Sequence, residues 1–223
     1  MALAEPAVAL TDFALAIECA VFVLLLTRQD AGDRTLRAWF VVFFASAGLA
    51  SLFGGAVHGF FPETDSEARR VVWRATLLAI LVTSLAAWNI GADVLLTART
   101  ATIVRRLAIL QLLIFSFIVI FVRDKFFIAI IAYLPATLLL LIAMIAGYRR
   151  RRLPALGWGI VGLSLTFVAA AVQRLHIAIH PRYFDHNALY HVIQGAALWM
   201  IFIGARAISS ARPSIRRTNA HSS

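Results

Sequence analysis

Apolar residues run through this chain in seven stretches, at about 8–27, 38–60, 72–96, 105–122, 126–147, 155–176 and 187–208. Each is near the roughly 20 residues that a helix needs to cross a hydrocarbon core. Polar separators divide them: Arg28 to Arg37, Phe61 to Arg70, Thr97 to Arg106, Arg123-Asp124-Lys125, Tyr148 to Pro154, and Ile177 to His186. The shortest separator decides most. Three charged residues interrupt an apolar run from Leu107 to Ala146 that is too long for one crossing, so the pattern predicts a tight helical hairpin there. The expected fold class is all-α, a polytopic membrane protein with seven transmembrane helices in one domain over residues 1–208. A polar cytoplasmic tail over 209–223 follows, with too few apolar residues to fold.

Composition agrees with this pattern. At 61% hydrophobic and 14% charged residues, the chain is far more apolar than a soluble domain of its length requires. A net charge of +10 would point to nucleic acid in a soluble protein. Here the basic residues sit in short loops between spans, so they report orientation and no nucleic-acid partner is expected. Fourteen of the 21 fall in the first, third and fifth loops and the tail: Arg28, Arg34, Arg37, Arg99, Arg105, Arg106, Arg149 to Arg152, Arg206, Arg212, Arg216 and Arg217. That bias places the N-terminus outside and the C-terminus in the cytoplasm. The first apolar run reads as a retained helix and not a signal peptide. No Lys or Arg precedes it, Glu18 interrupts it, and no small-residue cleavage pattern follows. The expected setting is a bacterial inner or cell membrane, with membrane lipids as partners. One cysteine, Cys19, cannot form an internal disulfide.

Five of the six histidines, His58, His176, His180, His186 and His191, fall beside helix ends that the charge pattern puts outside. Polar groups at membrane depth are costly and mark functional sites by default. His58 lies at the outer end of span 2. His191 lies one turn into span 7, with Gln194 deeper on the same face and Asn187 one turn earlier. Asp12 lies near the surface of span 1, and Glu18 six residues deeper, roughly 9 Å along the axis. Such a set has zinc-site chemistry: imidazole ligands, a metal-bound water and a nearby carboxylate as proton acceptor. His58, His191, Asn187 and His186 are the candidate ligands, His186 only if the helix entry is unwound. Glu18, Ser51 and Gln194 are the candidate catalytic groups, Ser51 lying two turns before His58 on its face. Interface histidines, an Asp185 or Asn187 helix cap, and small residues Ala47, Ser51, Gly54 and Gly55 for close helix packing are the plainer readings.

Seven spans, an outward N-terminus, a His at the outer end of span 2 and a His-bearing start to span 7 resemble the CREST superfamily. That group includes alkaline ceramidases and the progestin and adiponectin receptor proteins. The resemblance implies a zinc ion held by one His of span 2 and an HxxxH pair of span 7, a Ser and an Asp assisting, and hydrolysis of lipid amides. His58 matches the span 2 ligand, and His191 the second His of the pair. The chain departs at Asn187, which stands where the first His of the pair belongs, at Gly54 in place of the family Ser, and in lacking an Asp on outer span 3.

Two functions compete on these residues. One is a zinc-dependent membrane hydrolase acting on a lipid amide or ester at the outer side. The other is a receptor, sensor or small-solute binder whose polar cluster lines a pocket between helices. Haem held by His58 and His191 is a third arrangement. A retinal Schiff base is excluded, because the only lysine, Lys125, lies in a loop.

Overall fold

The computed structural model describes residues 3–63, 66–181 and 183–211, and of Arg151 the backbone alone. Seven long helices dominate: α1 (Pro6–Thr27), α2 (Arg34–Phe60), α3 (Glu67–Leu95), α4 (Ala98–Phe117), α5 (Phe126–Arg151), α6 (Pro154–Arg174) and α7 (His186–Ser210). Ile118–Val122 extend α4 as a π-helical turn. All seven are long and apolar enough to cross a membrane. The hairpin expected at residues 123–125 joins α4 to α5.

Helix ends depart from the apolar boundaries where capping outweighs hydropathy. Ser66 accepts a hydrogen bond from Arg69 N at 3.1 Å, so α3 starts at Glu67, five residues before its apolar run. Thr97 caps α4, whose start at Ala98 takes Arg99, Arg105 and Arg106 into helix. Arg105 pairs with Asp93 on α3, so its charge is met at the helix end. Helix α7 runs two residues past the expected boundary, and Ser209 is fully buried. Most of the tail, residues 212–223, lies outside the described residues, as do Asp65 and Arg182.

Six helices close a ring in the order α1, α2, α3, α5, α6, α7, and α7 returns to α1. Helix α4 lies outside, against α3 and to a lesser degree α5. One polar clamp fixes it: Gln111 donates to Ser84 Oγ (3.3 Å) and to the Ala132 carbonyl (2.9 Å), and accepts from Trp88 Nε1 (3.2 Å). The rest of α4 presents Ile103, Leu107, Leu113, Phe117 and Phe121 outward, a face suited to hydrocarbon.

Bare glycines set the tight seams, as small residues do between membrane helices. On α2, Gly48, Gly55 and Gly59 face Cys19, Phe13 and Ala9 of α1. Ala47 and Ser51, which the sequence offered for this packing, instead face the bundle interior. On α6, a Cβ added to Gly162 would stand 2.5 Å from the Ala197 carbonyl of α7, and Gly159 lies against Gly204.

The two halves of the bundle differ. Toward the arginine-rich end the interior is filled by aromatic rings, Phe22 stacking on Phe202 at 4.3 Å and meeting Phe44 edge-on at 5.2 Å. Leu26, Phe40, Met144, Leu156 and Ile208 complete this plug. Toward the histidine-bearing end the interior is hollow.

Candidate functional site

The hollow is a cavity of about 370 Å³ walled by α1, α2, α3, α5, α6 and α7. On α7 its wall runs from Asn187 to Leu198, roughly 16 Å along the axis at 1.5 Å per residue. Polar groups collect near the helix ends, where Asp12, His58, Gln173, Asn187 and His191 meet. Phe43, Ala47, Ile80 and Leu198 form the deeper, apolar part.

His191 organises the polar end. Its Nε2 lies 3.3 Å from Asp12 Oδ1, and its Nδ1 lies 3.1 Å from Thr11 Oγ1. The Thr11 hydroxyl also stands 2.8 Å from the Ala7 carbonyl. A hydroxyl has one proton. With that proton on Ala7, His191 Nδ1–H donates to Thr11, and one further proton, on Nε2 or on the Asp12 carboxyl, would balance the charge of the pair. Imidazole with carboxylic acid, or imidazolium with carboxylate, both satisfy this. Either way the pair carries no net charge, which makes its burial tolerable. Gly54 makes room for it: a Cβ there would come 3.1 Å from Asp12 Oδ2.

The neighbouring polar groups have separate partners. His58 Nδ1 lies 2.7 Å from Glu5 Oε2, and the Glu5 and Ala4 amides donate to the His58 and Gly59 carbonyls at the end of α2. Asn187 Oδ1 accepts from Gln173 Nε2 at 3.3 Å. The Ser51 hydroxyl lines the cavity with no hydrogen-bond partner among the described residues. Gln194 is the group left short. It is 9% exposed and reaches Thr166 only at 3.5 Å through Nε2, and its Oε1 is buried with no partner.

Two expected site residues stand elsewhere. Glu18 faces a shallow groove on the outside of the α1–α7 seam, against the bare backbone of Gly195, and does not enter the cavity. His191 lines both spaces. His186 meets His176 with ring centroids 4.5 Å apart and the rings tilted by 53°, beyond the cavity wall. Asp185 caps α7, accepting from Asn187 N (3.0 Å) and Ala188 N (2.9 Å). His176 takes a left-handed turn (φ 55°) after α6, and His180 pairs with Phe184 through two backbone hydrogen bonds.

The family model that matches this sequence covers residues 7–210, which is every one of the seven helices. The chain belongs to DUF6962, a family of unknown function. No curated protein and no solved structure matches it. Chemistry in the DUF6962 chain therefore has to be read from its own geometry. Zinc needs three or four ligands about 2.0–2.3 Å from one point. The anticipated set does not converge in this way. His58 turns one nitrogen to Glu5 and leaves the other open among the described residues, but both nitrogens of His191 have partners, Asn187 is held by Gln173, and His186 is outside. Among the described residues no three His, Cys, Asp or Glu side chains gather closely enough to hold a metal ion. With both ring nitrogens engaged, His191 is poorly placed as an axial haem ligand.

Sequence reading passed over Asp12 and Thr11 as site residues. The signal for Asp12 was present: Asp12, Leu15, Cys19, Phe22 and Leu26 are one buried stripe on α1, spaced three and four apart. Glu18 lies off that stripe.

Proposed function

We propose that this protein is a seven-helix membrane receptor, sensor or carrier that binds one small amphiphilic molecule in the central cavity. The unpartnered Oε1 of Gln194 carries this reading. A buried acceptor without a hydrogen bond costs about 1–3 kcal/mol, a cost that a ligand with a hydroxyl or amide N–H would remove once the Gln194 amide turns its oxygen into the cavity. The volume suits a ligand site. The ligand's polar end lies among Ser51, Gln194 and the Asp12–His191 pair, and its apolar end among Phe43, Ile80 and Leu198. The arginine bias supports a cytoplasmic C-terminus, with the histidine-bearing end outside, in a bacterial inner or cell membrane. A hydrolase would need a metal or an activated nucleophile at this site, and the partners of the histidines favour binding over catalysis.

Mass spectrometry of the protein released from membranes tests this. Native protein is expected to carry a co-purifying amphiphile that Gln194→Leu loses. Because the Leu variant no longer buries an orphaned acceptor, its ligand-free form should melt at or above the native temperature. Retention of the same molecule by Gln194→Leu, or its absence from native protein, would count against the proposal.

A further inference from the structure

The cavity wall is not closed all round. Two of its lining residues also face outward: Leu134 on α5 is 44% exposed, and Ala170 on α6 is exposed. They stand on the two helices of the α5–α6 seam, one of the two loosest in the ring. Leu134 lies eight residues into α5 and Ala170 four before the end of α6, roughly 12 Å and 6 Å below the histidine-bearing end. Both depths fall within a hydrocarbon core about 30 Å thick.

The packing of α6 explains the gap. Helices α5 and α6 are joined by Arg152 and Leu153 and touch near that turn, where Gly147 faces Leu156 and Gly159 faces Met144. Further from the turn, Gly162 draws α6 onto the backbone of α7. Helix α6 thus packs far more closely on α7 than on α5. Pro135 follows Leu134 directly and cannot donate to the Ile131 carbonyl, so α5 is least firmly bonded beside the opening.

We propose that the ligand enters and leaves sideways, from the bilayer, through this opening between Leu134 and Ala170. The proposal rests on the binding reading above and narrows it: the ligand is dissolved in the membrane, and its donor group travels past an apolar rim before reaching Gln194 and Asp12. Entry from water alone would need no exposed apolar residues in the cavity wall at hydrocarbon depth.

A photolabel carried by the bilayer separates the possibilities. The probe is a medium-chain alcohol with an aliphatic diazirine, dissolved in nanodiscs that hold the full-length protein. Light expels dinitrogen, and the carbon left behind alkylates nearby carboxyl groups, which peptide mass spectrometry locates. Asp12 reports the cavity, and Glu18, on the outer α1–α7 groove, reports the lipid side. Native protein should be labelled at both. Leu134→Trp with Ala170→Trp should reduce Asp12 labelling to background and leave both Glu18 labelling and the cooperative thermal transition intact. Leu134→Ala should raise Asp12 labelling. Unchanged Asp12 labelling in either variant overturns the side entrance and leaves the cavity as a binding site. Labelling of Glu18 without Asp12 in native protein overturns the binding reading itself.

Discussion

Asp12 and Glu18 sit six positions apart on one helix and meet opposite surroundings. Glu18 looked the better site residue because it lies deeper in the span, yet depth is only one coordinate. Facing is the other, and the buried stripe through Leu15, Cys19, Phe22 and Leu26 passes through Asp12. The two carboxyls should therefore respond differently to removal. Hydrogen bonds between membrane helices contribute about 1–2 kcal/mol at most, so Asp12→Ala should destabilise the bundle by up to that amount. Glu18→Gln should shift stability by less than about 0.5 kcal/mol, as expected of a substitution that breaks no partnership. Thermal unfolding of both variants in detergent decides this, and equal losses would contradict the assignment of Asp12 to the interior. His58, His191, Asn187, Ser51 and Gln194 were legible from depth and helical spacing, and all five line the cavity. Their partners were not legible. Glu5 precedes α1, and Thr11 is an ordinary helical threonine until His191 is brought beside it from 180 residues away.

Among the helices, the apolar runs located every span, because crossing length is a property of sequence alone. The starts of α3 and α4 were harder to place. Capping by Ser66 and Thr97 carries helix into charged sequence, and long arginine side chains make that affordable. Which face meets which neighbour is written in the glycines, though their partners cannot be read without the fold. Gly162 and Gly157 make the contrast testable. Alanine at Gly162 would press on the Ala197 carbonyl, and overpacking of this kind costs about 1–3 kcal/mol. At Gly157 the nearest atom would be 3.9 Å away, at Tyr148, so alanine there should be neutral or stabilising by about 0.5–1 kcal/mol. Melting temperatures of the two variants should move in opposite directions, or the first alone should fall.

Across the whole molecule, an aromatic plug at one end and a cavity at the other divide the labour: one half holds the ring together and the other leaves room. Because no three His, Cys, Asp or Glu side chains gather closely enough for a metal among the described residues, stripping divalent ions with a chelator should leave the melting temperature unchanged, and a marked fall would revive a metal-centred reading. Mutational tolerance should follow the same division. Apolar exchanges along the outer face of α4 should be accepted, and Gln111→Leu should loosen α4, seen as faster proteolysis of the loops that flank it. The position of α4 also settles a matter of direction. At the ends of the bundle, Trp73 near the start of α3 bonds to Asp124, just before α5, so α3 and α5 run the same way side by side. Parallel neighbours cannot be joined by a turn. The chain must first travel back, and α4 is that return journey. It adds no wall to the chamber and shifts the parity of the chain, so that six walls are built from seven helices and α7 ends at the face opposite the one where α1 begins.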